Sequence, residues 1–93
     1  MTFTPDLSGM EPMSDLMEHL DLEGAYIETR PMQGGAIYRV LAVYPGDGIR
    51  ALNVHGADEG RVVNLPSHIA ARLLPNQRLA HAIYGDVAPK TPQ

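Results

Sequence analysis

The chain has 93 residues, 44% of them hydrophobic, no cysteine and a formal net charge of −4, which is one domain with no room for a second core. Without cysteine there is no disulfide framework, thiolate zinc site or cysteine nucleophile, so packing alone must hold the fold, and a reducing cytoplasm is the expected setting. No apolar run approaches the roughly 18 residues of a membrane span, and Met1 to Gly9 lacks the basic and then apolar stretches of a secretory signal.

In chain order, residues 1–12 carry Pro5, Gly9 and Pro12 without periodicity and are expected to form a flexible arm. A helix is predicted from Ser14 to Glu23, with Ser14 as its cap, Asp15 and Glu18 near the positive end of its dipole, and Gly24 as its stop. Met13, Leu16, Met17 and Leu20 follow the i, i+3, i+4, i+7 spacing of one apolar stripe, which must dock because so short a helix is marginal alone.

The period changes at Ala25. Ala25 to Arg30 alternates and reads as a half-buried strand, Gln33, Gly34 and Gly35 as a turn, and Ala36 to Tyr44 as the long central strand. Pro45, Gly46, Asp47 and Gly48 give the strongest hairpin signal, returning through a strand from Ile49 to His55. Gly56 to Gly60 turns again, and Arg61 to Leu65 is a fourth strand. Pro66 and Ser67 introduce a helical piece over His68 to Leu74, Pro75 ends it, and Gln77 to Tyr84 alternates as a fifth strand. The globular domain is expected to span 13–85, with a disordered tail over 86–93.

This order is that of an α+β, mostly β protein. It resembles a small five-stranded SH3-like barrel, with an N-terminal amphipathic helix and a helical turn before the last strand, better than an OB-fold. An open meander with a helix on one face is the alternative. The architecture hosts unrelated functions and implies no activity, and no family is recognised by motif.

Catalytic and metal constellations are absent from the spacing. Asp15 and His19 share a helix face, and His55 and His81 lie on different predicted strands, but neither pair has an evident third ligand. Ser67 and His68 are adjacent, so their side chains diverge and cannot make a nucleophile and base pair. Gly34-Gly35 and Gly46-Asp47-Gly48 lack the lysine of a phosphate loop and the spacing of a dinucleotide fingerprint. No enzyme, cofactor or metal is therefore expected.

Charge carries more. Residues 1–28 hold seven acidic groups, Asp6, Glu11, Asp15, Glu18, Asp21, Glu23 and Glu28, without Lys or Arg, while the rest is net positive. The acidic segment lies either on its own basic body or on a basic partner. The second alternative makes Asp15, Glu18, Asp21 and Glu23 a protein-binding face, with Met10, Met13 and Met17 as an adjacent deformable strip or as core. The function expected is a cytoplasmic, non-enzymatic accessory or inhibitory module that engages a larger protein or nucleoprotein assembly. Small acidic proteins of this kind are typical of phage and mobile-element inhibitors, anti-CRISPR proteins among them, a likeness of class in which no residue is carried over. Arginine as six of the seven basic residues points to a GC-rich bacterial or phage source. The alternative is a nucleic-acid-binding barrel using Tyr38, Arg39, Arg50 and Arg61, although an acidic chain lacks the usual basic footprint. A third reading is a structural subunit, such as a homodimer, that oligomerises by an edge strand.

Overall fold

A computed structural model describes residues 11–19, 21–29 and 36–90, with only the backbone of His19. The elements are β1 (Glu11–Pro12), α1 (Met13–His19), β2 (Tyr26–Thr29), β3 (Ile37–Tyr44), β4 (Gly48–His55), β5 (Val62–Pro66), β6 (Ala70–Leu73) and α2 (Gln77–Tyr84). The strands form one antiparallel six-stranded sheet in the order β1-β6-β2-β3-β4-β5. Mostly β is correct; the closed five-stranded barrel is not. The sheet is open, with α1 against one face and α2 against the other.

Two parts of the chain take the opposite secondary structure from that expected. Over 68–74 there is no helical piece: Ile69 N donates to Pro66 O at 3.2 Å, closing a turn, and β6 then inserts between β1 and β2. Pairing on both sides outweighs the helical propensity of Ala70 and Ala71. Over 77–84 a helix replaces the expected strand. Asn76, in extended geometry, accepts from Leu79 N at 3.0 Å and caps it. The alternation of Leu79, His81 and Ile83 is incidental, because the inward residues are Gln77, Ala80 and Tyr84, at helical spacing. Pro66 also closes β5 rather than ending the strand before it, as an edge position that needs no N–H allows.

The β3–β4 hairpin forms where its turn chemistry places it, with Asp47 N donating to Tyr44 O at 2.9 Å. Gly48 is obligatory: its φ is +133°, and a Cβ there would lie 2.0 Å from the backbone oxygen of Leu65 on the neighbouring strand. The most completely buried strand is β4, not the apolar β3, whose pairing is irregular between Val40 and Ala42 and leaves Leu41 exposed.

Helices on both faces also explain why Tyr26 and Ile27, adjacent on β2, are both buried. The α1 face gathers Met13, Leu16, Leu22, Ile27, Val40, Ile49, Ala51, Leu65 and Ala71, and the α2 face only Tyr26, Leu52, Val54 and Ala80. The predicted stripe is right for Met13 and Leu16, which are buried, and for Met17, which packs against them; Leu20 lies outside the described residues. The helix is shorter than Ser14 to Glu23, and Ser14 is not its cap. Met13 N and Ser14 N instead donate to Ile69 O and Ser67 O, each at 2.8 Å, so the turn before β6 satisfies the start of α1.

At the ends, the stretch read as an arm includes β1 on β6, and residues 1–10 lie outside the described residues. In the stretch read as a tail, Val87 packs on the α2-side cluster and Lys90 N donates to Gly60 O at 2.7 Å; residues 91–93 lie outside the description. Among the described residues no helix is long and apolar enough to cross a membrane.

Candidate protein-binding surface

The acidic residues sit on and just beyond α1. Burial of Met13 and Leu16 fixes the helix on the sheet and leaves Asp15 half-buried and Glu18 exposed. Leu22, fully buried, is a second anchor, so Asp21 and Glu23 on either side of it are turned outward. The following turn is tied to β3: Gly24 N donates to Val40 O at 2.8 Å, and Val40 N to Ala25 O at 2.9 Å. Gly24 takes a φ of +84°, which a side chain would disfavour. The four carboxylates are thus carried on backbone with tertiary anchors.

Among the described residues none of the four is in an ion pair. Two pairs elsewhere are Arg72 with Glu28 at 2.6 Å, partly buried, and Arg61 with Asp58 at 3.8 Å, largely exposed. The first locks β6 to β2, and the second, between exposed side chains, contributes little. Glu28–Arg72 joins the end of the acidic segment to the basic body, one of the two alternatives raised by the charge distribution, while Asp15, Glu18, Asp21 and Glu23 stand in neither pair.

Beside Glu18 is a cleft of about 230 Å³ between α1 and the β3–β4 hairpin, lined by Ser14, Met17, Glu18, Val43, Pro45, Gly46 and Ser67. Its walls are largely apolar, with one carboxylate at the rim. The methionine strip is divided by the fold: Met13 is core, Met17 lines this cleft, and Met10 lies outside the described residues. The sequence gives no sign of Val43 and Pro45 as partners of Met17, because the docking of α1 on the hairpin brings them there.

The nucleic-acid set is dispersed. Tyr38 packs on the α1-side cluster. Its hydroxyl is held above the usual tyrosine value by burial and then by the nearby Asp58 carboxylate, with a hydrogen bond to Asn53 acting the other way. Arg39, next to it, projects to the opposite face and places its guanidinium 5.7 Å from the centre of the Tyr26 ring. Arg50 lies two residues from Leu52, the cross-strand partner of Arg39, and so shares that second face. Arg61 lies between the turn at 56–60 and β5, with Asp58. Only Arg39 and Arg50 come to one face.

There two of the histidines, His81 and His55, are set against tyrosines. The Tyr26 hydroxyl and His81 Nδ1 are 3.1 Å apart, and the His55 and Tyr84 rings lie 6.0 Å centre to centre. Gln77 replaces a missing strand partner: its Oε1 accepts from Tyr26 N at 2.7 Å, and its Nε2 donates to Tyr26 O at 2.8 Å and to Leu74 O at 3.0 Å. These contacts fix α2 and use the polar atoms of Gln77 in structure rather than in a site. Among the described residues no three His, Asp or Glu side chains are grouped as metal ligands would be.

Against known proteins, no family model, no curated protein and no solved structure matches the chain.

Proposed function

We propose that this chain is a non-enzymatic protein-binding module, accessory or inhibitory to a larger assembly, that meets a basic surface with Asp15, Glu18, Asp21 and Glu23. The observation that carries this reading is the pairing of an apolar cleft with carboxylates that, among the described residues, are in no ion pair, on a segment anchored by Met13, Leu16 and Leu22. An apolar side chain of the partner enters between Met17, Val43 and Pro45 while its cations meet Glu18 at the rim and Asp15, Asp21 and Glu23 along the same segment. The charges supply orientation and association rate, and the cleft supplies burial. Anchoring lowers the ordering entropy lost on binding.

The test is capture of partners from cells of the source organism, with Asp15, Glu18, Asp21 and Glu23 all reversed to lysine in a parallel sample. Wild-type capture is expected to weaken as salt rises, and the reversed protein is expected to capture nothing specific. Equal capture by the two proteins overturns the proposal. As a folding control, Glu18→Gln is expected to change stability by less than about 0.5 kcal/mol. The nucleic-acid alternative is less favoured, since its tyrosine and arginines are divided between faces; fluorescence anisotropy with a single-stranded oligonucleotide at low salt is expected to show no binding.

A further inference from the structure

The inner side of α2 is accounted for by Gln77, Ala80, His81 and Tyr84, which meet β2 and the α2-side cluster. Its outer side is not what a solvent-facing helix presents. Leu79 and Ile83 are 54% and 58% exposed, the highest values among the exposed large hydrophobic residues. At about 100° per residue, Arg78, Ala82, Leu79 and Ile83 fall in that order within an arc of about 140°, opposite the inward residues. Gly85 keeps helical backbone angles, φ −61° and ψ −21°, and its N–H donates to His81 O, which carries Asp86 onto the same outer face. This face is basic at its beginning, apolar in the middle and acidic at its end. Among the described residues neither Arg78 nor Asp86 is in an ion pair.

Such a pattern is complementary to itself when reversed. We propose that the outer face of α2 is a self-association surface, on which a second copy of this chain docks antiparallel about a two-fold axis near Ala82. The axis sets Arg78 opposite the partner's Asp86 and Asp86 opposite the partner's Arg78, because the two residues lie equally far from Ala82. Ala82, with only a methyl group, lets the helix axes approach to about 8 Å, and Leu79 and Ile83 of both copies close the apolar centre. A two-fold contact satisfies both charged ends with one surface patch and closes at two copies. Two helices of this length bury less than the roughly 1,200 Å² of a standard interface, so the dimer dissociates on dilution. The surface is separate from the acidic α1 segment, and the inference stands or falls independently of the proposed function.

Sedimentation equilibrium from about 10 μM to about 1 mM tests it. Wild type is expected to shift from monomer to dimer over this range, and Leu79→Ser with Ile83→Ser to stay monomeric; both side chains are exposed, so the fold should survive, checked by circular dichroism. Arg78→Asp alone and Asp86→Arg alone are each expected to weaken the dimer about fivefold or more, and the two together to restore it. A wild type that stays monomeric at the highest concentration overturns the proposal, whether the face is then covered by other residues of the chain or reserved for a different protein. So does a dimer indifferent to the serine substitutions, or charge-swapped variants without mutual rescue.

Discussion

The two faces of the sheet are covered by helices of nearly equal length, and the two are held differently. On the α1 face every one of the nine clustered side chains is aliphatic or methionine. The α2 face has four residues in its cluster and adds the Gln77 clamp, the Asn76 cap and the Tyr26–His81 contact. Burial is non-directional and grows with apolar area, so α1 is seated by shape. With less apolar area beneath it, α2 depends on hydrogen bonds that specify one position and are expensive to leave half-made. One helix is part of the core; the other is registered upon it.

The largest test of this contrast is Leu16→Ala, which removes a side chain only 3% exposed from the larger cluster. It is expected to cost about 2 to 4 kcal/mol and to lower the denaturant midpoint of the whole domain in a single transition. A stable variant whose α1 alone unfolds would show that this face is no more integral than the other. Next is Gln77→Ala, which strands the N–H of the buried Tyr26, whose carbonyl keeps the Leu74 N–H at 3.1 Å. About 1 to 3 kcal/mol is expected, appearing first as faster amide hydrogen exchange in α2 while β4 remains protected. Equal loss of protection in both elements would erase the distinction.

The smallest effect is that of Tyr38 on the dependence of stability on pH. Its hydroxyl titrates above the ordinary tyrosine value of 10.0 in the folded protein, chiefly through burial. The folded state therefore holds this proton more tightly than the unfolded state. The stability so conferred is complete well below pH 10 and is lost as pH rises through the unfolded and then the folded value. Denaturation curves from about pH 8 to about pH 11 should decline less steeply for Tyr38→Phe than for wild type. Parallel declines would remove Tyr38 from the account.

Local chemistry made the first half of the fold readable. Pro45 to Gly48 dictates a hairpin wherever it occurs, and the spacing of Met13, Leu16 and Met17 is enough to orient α1. Beyond Pro66 the decisive information is distant. Ala70–Leu73 is a strand because β1 and β2 lie on either side of it, and neither lies near it in the chain. For α2 the signal was present, an asparagine cap after Pro75, but alternating Leu79, His81 and Ile83 suggested the wrong period. The same limit applies to function. Exposed carboxylates are the default for charged residues, so Glu18 and its neighbours could be placed on the surface from sequence; the cleft between Met17 and Pro45 exists only after docking. Tyr38 and Arg39 show the converse, since adjacent strand residues face apart whatever chemistry they share.

Among the described residues, both outer strands of the sheet end in proline: β1 is Glu11–Pro12, and β5 closes at Pro66. A proline offers no N–H to an incoming strand, and β1 is too short to template one. Growth of the sheet from molecule to molecule, the route by which edge strands seed fibrils, is therefore blunted at both borders. A concentrated solution of this protein should remain free of cross-β material, and copies that meet are directed away from strand addition towards helical surfaces.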